Sequence, residues 1–376
     1  MASPDIVKLT ALEFFSGIGL ARAGMERAGV STVWANDLSA DKCAIYRKQW
    51  GSEGLSEQNI QDVKGETIPA ADIAWASSPC TDLSLAGKRE GIVKGRESSA
   101  FFGFSKALRE MGDDRRPTAA VLENVIGLAS SNNGDDLRAV IEEFNTLGYA
   151  CDALALDARR WLPQSRPRMF VIAMRGNIPH DAPLSSSLRP DSLSWIHADE
   201  SLRTFVAPLP DVPELKTSGF TAIVEDMSDE DPRWWDEERV AKFMSSLTPI
   251  QEERIKDLRE LPGLNARTAY RRTRNGVPRW EVRPDDIAGC LRTARGGSSI
   301  QAVVVSRNGQ IRVRHMTGLE YARLQGAGDF DLTGFRESQI RYAFGDAVAV
   351  PAVEWLMSSV VVPLVGIVRS GEGMYE

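Results

Sequence analysis

Residues 72–91, DIAWASSPCTDLSLAGKREG, place a cysteine directly after a buried strand, and the rest of the chain is interpreted outward from them. The apolar run 72–76 predicts a strand that is broken at Pro79 and followed at once by Cys80. Open α/β sheets bind ligands at the carboxyl ends of their strands, so this position suits chemistry. The alternative is a structural cysteine, because free cysteines are among the most buried residues. This stretch alone favours the structural alternative, and residues elsewhere in the chain reverse that preference.

The composition is that of an ordinary globular protein. Of the 376 residues 43% are hydrophobic, and the net charge of −7 means that nucleic acid could only be met by a local basic patch. The four cysteines form no CxxC pair, which argues against a zinc site or a disulfide framework, so we expect no metal. No secretory signal is visible, and the apolar segment 360–368 is short and contains Pro363, so we expect a soluble, cytoplasmic protein and no membrane partner.

A glycine turn follows the first predicted strand. Residues 9–15 read as a strand, Ser16-Gly17-Ile18-Gly19 as a turn, and LARAGMERAG as a helix with Gly29 as its C-terminal cap. Such a unit resembles a nucleotide cradle, in which glycines let a ligand approach the backbone at a helix N-terminus. The alternative is an ordinary tight turn.

Two acidic residues follow the glycine turn at sequence spacings that suit contacts with a bound nucleotide-like ligand. The second strand, 32–36, ends in Asp37, about 20 residues past the glycines, where nucleotide-binding βαβ units place a carboxylate on ribose hydroxyls. Alternatively, Asp37 is the N-cap of the next helix. Asp62 could receive an adenine amino group, or it could be a surface aspartate.

Two further strands bring charged residues to the same edge. The strand 119–122 ends at Glu123-Asn124-Val125, and a buried carboxylate is costly unless it is paired or functional. The turn WLPQSRPR precedes the strand 169–174, and the alternation of Arg166 and Arg168 lets both point the same way. The alternatives are a structural glutamate and two solvated arginines.

The order of elements predicts an α/β fold with a mostly parallel, helix-covered sheet up to about residue 175. Residues 177–284 are rich in proline and acidic residues and predict a smaller domain with a helix near Pro249–Glu260. Asn308-Gly309 between two apolar runs predicts a β-hairpin, at which the chain rejoins the first domain.

A basic segment ends the middle region. Residues 265–297 contain eight arginines and three acidic residues, about +5 in all, which suits phosphate binding. Tyr270 and Trp280 lie among these arginines and could stack on bases. The alternative is a solvated basic face.

Taken in order, these motifs resemble DNA (cytosine-5)-methyltransferases of the bacterial restriction-modification type. The matching segments are EFFSGIGL (13–20), AND (35–37), SPC (78–80), ENV (123–125), QSRPR (164–168), RHMTGLEYARLQG (314–326) and FGDAVAV (344–350). They cover residues 9–176 and 286–362. Any one motif is weak, whereas the ordered set is specific.

The resemblance implies a Rossmann-like methyltransferase sheet that uses S-adenosylmethionine, with a second, smaller target-recognition domain. The implied bounds are 1–176 for the first part of the catalytic domain, 177–285 for target recognition and 286–376 for the return to the catalytic domain. The implied reaction moves a methyl group to C5 of a flipped-out cytosine in a specific duplex DNA sequence, through a covalent bond between Cys80 and C6.

The resemblance also assigns residues. The catalytic set is Cys80, Glu123, Arg166 and Arg168. The residues expected to bind S-adenosylmethionine are Phe15, Ser16, Gly17, Ile18, Gly19, Asn36, Asp37, Leu38, Asp62, Val63, Pro79, Ala100, Asp346 and Ala347. The residues expected to bind DNA are Thr81, Ser84, Lys88, Arg271, Arg272, Arg274, Arg295, Gly296 and Gly297.

The chain departs from the family pattern at five positions, and some questions stay open. The departures are Glu13 for aspartate, Leu20 for glycine, Thr81 for glutamine, Ala100 for leucine and Asp346 for asparagine.

Alternatives are a tRNA cytosine-5 methyltransferase and an inactive DNA-binding relative. A nicotinamide oxidoreductase would leave Cys80, Glu123 and Arg168 unexplained. We expect a monomer, whereas the target sequence, a cognate restriction endonuclease and the base that removes the C5 proton stay open.

Overall fold

The computed structural model describes residues 8–79, 100–178, 182–274, 276–293 and 300–371. The chain divides into two compact units. The first unit contains Met1–Leu156, Pro167–Val212 and Val350–Glu376, and the second contains Asp157–Arg166 and Pro213–Ala349. This division differs from the bounds expected from sequence, because residues 286–349 stay with the second unit and a ten-residue turn before Pro167 joins them.

The described residues form the following strands and helices in chain order. The strands are β1 (Thr10–Phe14), β2 (Ser31–Asn36), β3 (Leu55–Ser56), β4 (Ile73–Ser77), β5 (Ala119–Val125), β6 (Ala150–Asp157), β7 (Pro167–Met174), β8 (Leu264–Arg274), β9 (Val277–Val282), β10 (Ala302–Arg307) and β11 (Gln310–His315). The α-helices are α1 (Leu20–Arg27), α2 (Ala40–Trp50), α3 (Ala100–Glu110), α4 (Asp135–Thr146), α5 (Asp191–Ser194), α6 (Glu237–Ser245), α7 (Pro249–Glu260), α8 (Gly318–Leu324), α9 (Glu337–Gly345), α10 (Val350–Leu356) and α11 (Val362–Ser370).

The first unit is built on a seven-stranded sheet with the order β3-β2-β1-β4-β5-β7-β6. Strands β3, β2, β1, β4 and β5 pair in parallel, and β7 runs antiparallel to β5. The strand order reverses between β1 and β4, which makes their carboxyl ends the topological switch point where open α/β sheets bind ligands. The predicted parallel α/β sheet is therefore confirmed, and the glycine turn and Pro79 lie at this edge.

The sheet is stable because its central strands are apolar on both faces and helices cover them. Residues of β1, β4, β5 and β7 are fully buried in one core together with Phe104 and Phe144 from α3 and α4. Helix α1 packs so closely on α10 that a Cβ at Gly24 would lie 2.5 Å from Val353. Gly29 has a φ of 82° just past the end of α1, as a C-terminal glycine cap requires.

The second unit contains a four-stranded sheet with the order β11-β10-β8-β9. Strands β10 and β11 form the predicted hairpin, and Asn308 and Gly309 have positive φ values of 51° and 88°, as a type I′ turn requires. Because β10 also pairs with β8, this hairpin lies in the second unit, and the expectation that it rejoins the first domain is wrong. The fourth strand, β9, pairs antiparallel with β8 along the basic segment.

Two helices support this sheet. Helix α7 spans Pro249–Glu260, as the sequence predicted. Helix α6 was not predicted, because its first turn is acidic and lies in a run of acidic residues. The Asp236 side chain caps this helix by accepting from the Arg239 N–H. Residues of both helices, including Phe243 and Leu258, pack with the strands in a second hydrophobic core.

The C-terminal helices are more apolar than the sequence reading allowed. The stretch Glu337–Ser370 is long and apolar enough to cross a membrane by length and composition, so the apolar run extends well beyond the segment 360–368. Of its most apolar window 61% is buried inside the protein, as in the core helices of soluble proteins. A π-helical segment, Met357–Val361, joins α10 to α11 just before Pro363, which lacks the N–H that a regular helix needs there.

Candidate active site

The glycine turn is a left-handed backbone segment between β1 and α1. Phe15, Gly17 and Gly19 have φ values of 56°, 57° and 80°. Glycine adopts such values at little cost, whereas at Phe15 the conformation is strained, and strain of this kind concentrates at functional sites. The Gly19 N–H donates to the Ser16 carbonyl at 2.8 Å, which closes the turn just before α1 begins.

The turn leaves polar atoms available to a ligand. The Ser16 hydroxyl is buried, and among the described residues it has no hydrogen-bond partner. The first N–H groups of α1 face no side-chain cap at Gly19. A buried hydroxyl and the start of a helix in a strained glycine turn suit a polar ligand, as the sequence predicted for Phe15–Gly19.

Glu13 supports the start of α1 from inside the sheet. Its Oε1 accepts from the Arg22 N–H at 2.9 Å, so it replaces the missing side-chain cap. Complete burial, with a smaller contribution from the Asp37 carboxylate, raises the pKa of Glu13 to about 8 against the lowering effect of Arg22. Glu13 is therefore a protonated acid near neutral pH, and this departure from the family aspartate is accommodated in the core.

Asp37 connects the second strand to the glycine turn. Its Oδ2 accepts from the Gly17 N–H at 2.8 Å, and its Oδ1 accepts from the Ser39 N–H at 2.7 Å. The N-cap of α2 is Ser39, so the alternative that Asp37 caps this helix is wrong. The neighbouring Asn36 donates both amide N–H groups to the carbonyls of Ser56 and Gln58, which leaves its amide oxygen for other contacts.

The remaining predicted cofactor residues of the first unit differ in how far they are exposed to solvent. Leu38 is 68% exposed, although it is apolar. Asp62 is exposed at the end of a 3-10 turn, and Val63 beside it is buried. Pro79 is exposed, and Ala100 is half-buried at the start of α3.

Glu123 and Arg168 form a buried ion pair at the end of β5. Arg168 Nε lies 3.1 Å from Glu123 Oε1, and the two side chains are 14% and 7% exposed. The pairing follows from the sheet, because β7 runs antiparallel to β5 and aligns Arg168 with Val125. Both residues were predicted as catalytic, and the structure brings their side chains together.

Asn124 ties the ends of β4 and β5 to each other. Its Nδ2 donates to the Ser78 carbonyl at 3.2 Å, two residues before Cys80. The sequence reading gave Asn124 no role, although its place between two predicted site residues was a signal. Cys80 itself lies outside the described residues, as do Thr81, Ser84, Lys88, Arg295, Gly296 and Gly297.

Arg166 lies in the second unit, where its guanidinium donates to three backbone carbonyls and to the Cys290 Sγ. It is 1% exposed and donates to the carbonyls of Leu291, Gly345 and Ala347 at 3.1, 3.3 and 2.6 Å. Arg166 thus supports the loop that contains Asp346. The alternation of Arg166 and Arg168 in the sequence gave no indication of these partners.

Two buried glutamines, which the sequence analysis did not single out, also donate to backbone carbonyls in this part of the second unit. Gln325 Nε2 donates to the carbonyls of Phe344 and Ala347, each at 2.9 Å. Gln164 Nε2 donates to the Leu324 carbonyl at 2.6 Å. Asp346 is exposed in the loop that these side chains shape. Buried amides inside QSRPR and ARLQG were the available signal.

Two of the three described cysteines differ from a reactive thiol. Cys43 and Cys151 are buried. Burial raises the pKa of Cys43 to about 11 and the pKa of Cys151 further, so neither forms a thiolate near neutral pH. Cys290 is half-buried with its Sγ 3.3 Å from Arg166 Nη1. Among the described residues no group of three His, Cys, Asp or Glu side chains could hold a metal ion.

The basic segment forms the β8–β9 hairpin, here called the basic hairpin. Arg271 and Arg272 are both exposed, but successive strand residues point to opposite faces. Arg272 lies opposite Arg279 and pairs with Glu281 at 3.3 Å. The side chain of Arg274 lies outside the described residues.

The aromatic residues of the basic hairpin do not behave as expected from the sequence. Trp280 packs against Trp235 and Phe243, with ring centroids 5.6 and 5.7 Å apart, and so belongs to the second core. The expectation that it stacks on bases is therefore wrong. Tyr270 lies beneath the Arg272 guanidinium, 5.5 Å from the ring centroid.

Comparisons with known proteins agree on one family. A sequence model of the family described as C-5 cytosine-specific DNA methylase matches residues 9–361. The type II methyltransferase M.NgoBI of Neisseria gonorrhoeae is 26% identical over 350 residues, which cover 91% of this chain and 90% of that protein. The type II methyltransferase M.HaeII of Haemophilus aegyptius is 25% identical and covers 93% and 92%. A crystal structure of the S. pombe Dnmt2 methyltransferase shares the fold, with a TM-score of 0.62, 18% identity and coverage of 95% and 99%.

Proposed function

The chain belongs to the C-5 cytosine-specific DNA methylase family and is a DNA (cytosine-5)-methyltransferase, and from this premise we propose how its residues perform the reaction. The substrate is a cytosine of a specific duplex DNA sequence, flipped out of the helix, and the reaction proceeds through a covalent bond between Cys80 Sγ and C6. The observation that supports this most is the buried Glu123–Arg168 pair at the switch-point edge, tied by Asn124 to the strand end that precedes Cys80.

The first unit fits S-adenosylmethionine at the glycine turn. The buried Ser16 hydroxyl and the start of α1 suit the polar end of such a molecule. Asp37 keeps acceptor capacity for ribose hydroxyls, because each carboxylate oxygen accepts more than one hydrogen bond. Leu38 offers an exposed apolar surface beside it for the adenine. When bound, S-adenosylmethionine supplies an electrophilic methyl group.

Cys80 makes C5 of cytosine reactive. C5 is a poor nucleophile in an aromatic ring, and addition of the Cys80 thiolate to C6 breaks the C5–C6 double bond and makes C5 the nucleophilic carbon of an enamine that includes C4 and the exocyclic amine. The electron pair of the former double bond moves toward N3 and O2 during this addition. After C5 takes up the methyl group, for which bound S-adenosylmethionine would leave as the neutral thioether S-adenosylhomocysteine, a base removes the C5 proton and the thiolate leaves C6, which restores the C5–C6 double bond.

Glu123 and Arg168 stabilise the charge that this addition creates. We assign Glu123 to N3 and the exocyclic amine of cytosine, and Arg168 to O2. Their pairing fixes both side chains before substrate arrives, which lowers the reorganisation that the reaction would otherwise require. We assign Arg166 as a positioning residue, because its buried guanidinium donates to the carbonyls of Gly345 and Ala347 and so holds the loop 345–347.

The DNA contacts outside the reacting base come from residues 177–285, of which 213–285 belong to the second unit. On the basic hairpin Arg272 and Arg279 lie directly opposite each other on one face, and although Glu281 pairs with Arg272, these three side chains keep a net positive charge that suits an anion. We propose that this face contacts DNA phosphates and that the residues 177–285 read the sequence. A base-flipping enzyme offsets an unpairing cost of a few kcal/mol by such contacts.

The setting of the reaction completes the proposal. The relatives are named as type II methyltransferases, which makes a cognate restriction endonuclease the partner to look for. We place the protein in the cytoplasm as a monomer.

Methyl transfer from labelled S-adenosylmethionine to duplex DNA and to tRNA tests the substrate. We expect label in duplex DNA alone. Bisulfite sequencing of DNA from cells that express the protein should then give one methylated sequence. Label in tRNA and none in DNA would contradict the proposal.

A further inference from the structure

Trp50 lies at the end of α2, and its indole contacts the glycine turn. Its Nε1 donates to the Ile18 carbonyl at 3.2 Å, and a Cβ built at Gly19 would lie 2.2 Å from the same nitrogen. Ring and backbone therefore meet at a distance that Gly19 alone permits. No sequence motif assigned Trp50 a function.

The indole ring is itself held in place from the α1 side. The Arg22 guanidinium lies 4.7 Å from the Trp50 ring centroid and donates to the Tyr46 hydroxyl at 3.0 Å. The Arg22 backbone N–H donates to Glu13 in β1. The Trp50 ring is thus fixed by α2 and α1 together, and it fixes the turn between α1 and β1.

Helix α2 therefore reaches the glycine turn from both of its ends. Before its first residue, Asp37 accepts from the Gly17 N–H, and at its last residue Trp50 donates to the Ile18 carbonyl. These two hydrogen bonds hold the Ser16–Gly17 and Ile18–Gly19 peptide units, which flank the centre of a turn whose left-handed conformation is costly without such support.

We infer that Trp50 is a positioning residue for cofactor binding, which holds the glycine turn in the conformation that receives S-adenosylmethionine. The inference rests on the proposed cofactor site. Two properties of tryptophan are needed, since its ring fills the space beside Gly19 and its N–H satisfies a carbonyl that other aromatic side chains without a ring donor would leave unpaired.

The test is Trp50→Phe, which keeps an aromatic ring and removes the N–H donor. Trp34→Phe is the matched control, because Trp34 belongs to the same unit and packs on Phe14, with centroids 4.9 Å apart. By calorimetry Trp50→Phe should bind S-adenosylmethionine about 10-fold more weakly, the loss expected for one unsatisfied carbonyl. The KM for S-adenosylmethionine should rise in parallel, while kcat at saturation and the affinity for DNA stay within about twofold.

The outcomes separate the inference from the function on which it rests. If the unsubstituted protein does not bind S-adenosylmethionine, the cofactor site fails and the role of Trp50 with it. If that protein binds and Trp50→Phe matches Trp34→Phe, the role of Trp50 alone is overturned, and a fall in kcat at unchanged affinity overturns it as well. Should Trp50→Phe be less stable, the shift of each variant's Tm on adding S-adenosylmethionine, relative to its own unliganded Tm, gives the same comparison.

Discussion

The switch-point edge of the first unit and the basic hairpin of the second unit differ in how far their polar groups are exposed to solvent, since Glu123 and Asn124 are buried and Arg271 and Arg272 are not. At the edge, Asp37, Glu123 and Asn124 are each bound to a partner from another strand or turn. On the hairpin, Arg271 and Arg272 are exposed, and Arg272 pairs with Glu281 across the strands. Groups that act on a reacting atom must be fixed in advance, whereas groups that meet a phosphate backbone can adjust to it.

The difference predicts that single substitutions at the edge have large effects and that substitutions on the hairpin have small, additive ones. Buried partners that lose their counterpart are left uncompensated, and the cost rises with burial. Each exposed arginine contributes to the free energy of DNA binding through its screened charge, and these contributions are nearly equal and additive.

The largest effect is expected for Glu123→Gln. The substitution keeps the size of the side chain and removes both the partner of Arg168 and the acid that we assign to N3 of cytosine. Single-turnover methyl transfer should fall by about 10²- to 10⁴-fold, the usual contribution of a general acid or base. DNA binding should persist in a gel-shift assay. A rate within threefold of the original enzyme would remove Glu123 from the mechanism.

Glu13 provides a pH-dependent comparison inside the first unit. Its pKa is raised from 4.5 to about 8 by burial, so the folded protein holds its proton while the unfolded chain loses it. The free energy of unfolding should therefore fall as the pH rises from 4.5 to 8, and this contribution should level off above 8. Glu13→Gln removes the titration, and its stability relative to the original protein should rise by on the order of 2 kcal/mol between pH 5 and 8. Urea unfolding at three pH values measures this, and parallel pH profiles would contradict the burial of an ionisable Glu13.

Asp37→Ala should weaken the binding of S-adenosylmethionine by about 1 to 3 kcal/mol, the cost of a lost charged hydrogen bond. The structure adds a second reason, because the Gly17 N–H loses its acceptor. Calorimetry measures the change. Unchanged affinity would remove Asp37 from the cofactor site.

The smallest effects are expected on the basic hairpin. The neighbouring Arg271 and Arg272 point to opposite faces, so the relevant pair is Arg272 and Arg279. Arg272→Ala with Arg279→Ala should weaken binding alike for all DNA sequences and reduce the salt slope by about 2 units. Arg271→Ala is the control and should leave the slope nearly unchanged. A change of target sequence at a constant slope would mean that these arginines read bases.

The parts of the fold that depend on local pattern were predictable from the sequence. The glycine turn, the position of Glu123 at a strand end, α7 and the Asn308-Gly309 hairpin follow from periodicity and turn chemistry within a few residues. The family followed from a set of motifs whose order is specific, and the family match over residues 9–361 confirms it.

What the sequence did not predict depends on contacts between distant residues. The pairing of β10 with β8 joins residues more than 30 positions apart and places the second hairpin in the second unit. The carbonyl partners of Arg166 come from residues 291, 345 and 347. The sequence suggested that Trp280 stacks on bases, but the register of β9 places its side chain against the second core. Periodicity carries no information on such partners.

The central claim is the covalent step at Cys80, and a duplex with 5-fluorocytosine at the target tests it most directly. Fluorine at C5 cannot leave as a cation, so the enzyme should stay attached after one methyl transfer. We predict a complex that survives a denaturing gel, requires S-adenosylmethionine and is lost in Cys80→Ser, because a serine hydroxyl is far less ionised than a thiol. Cys43→Ser, Cys151→Ser and Cys290→Ser should retain it. Trapping that persists in Cys80→Ser, or that is lost with another cysteine, would contradict the account.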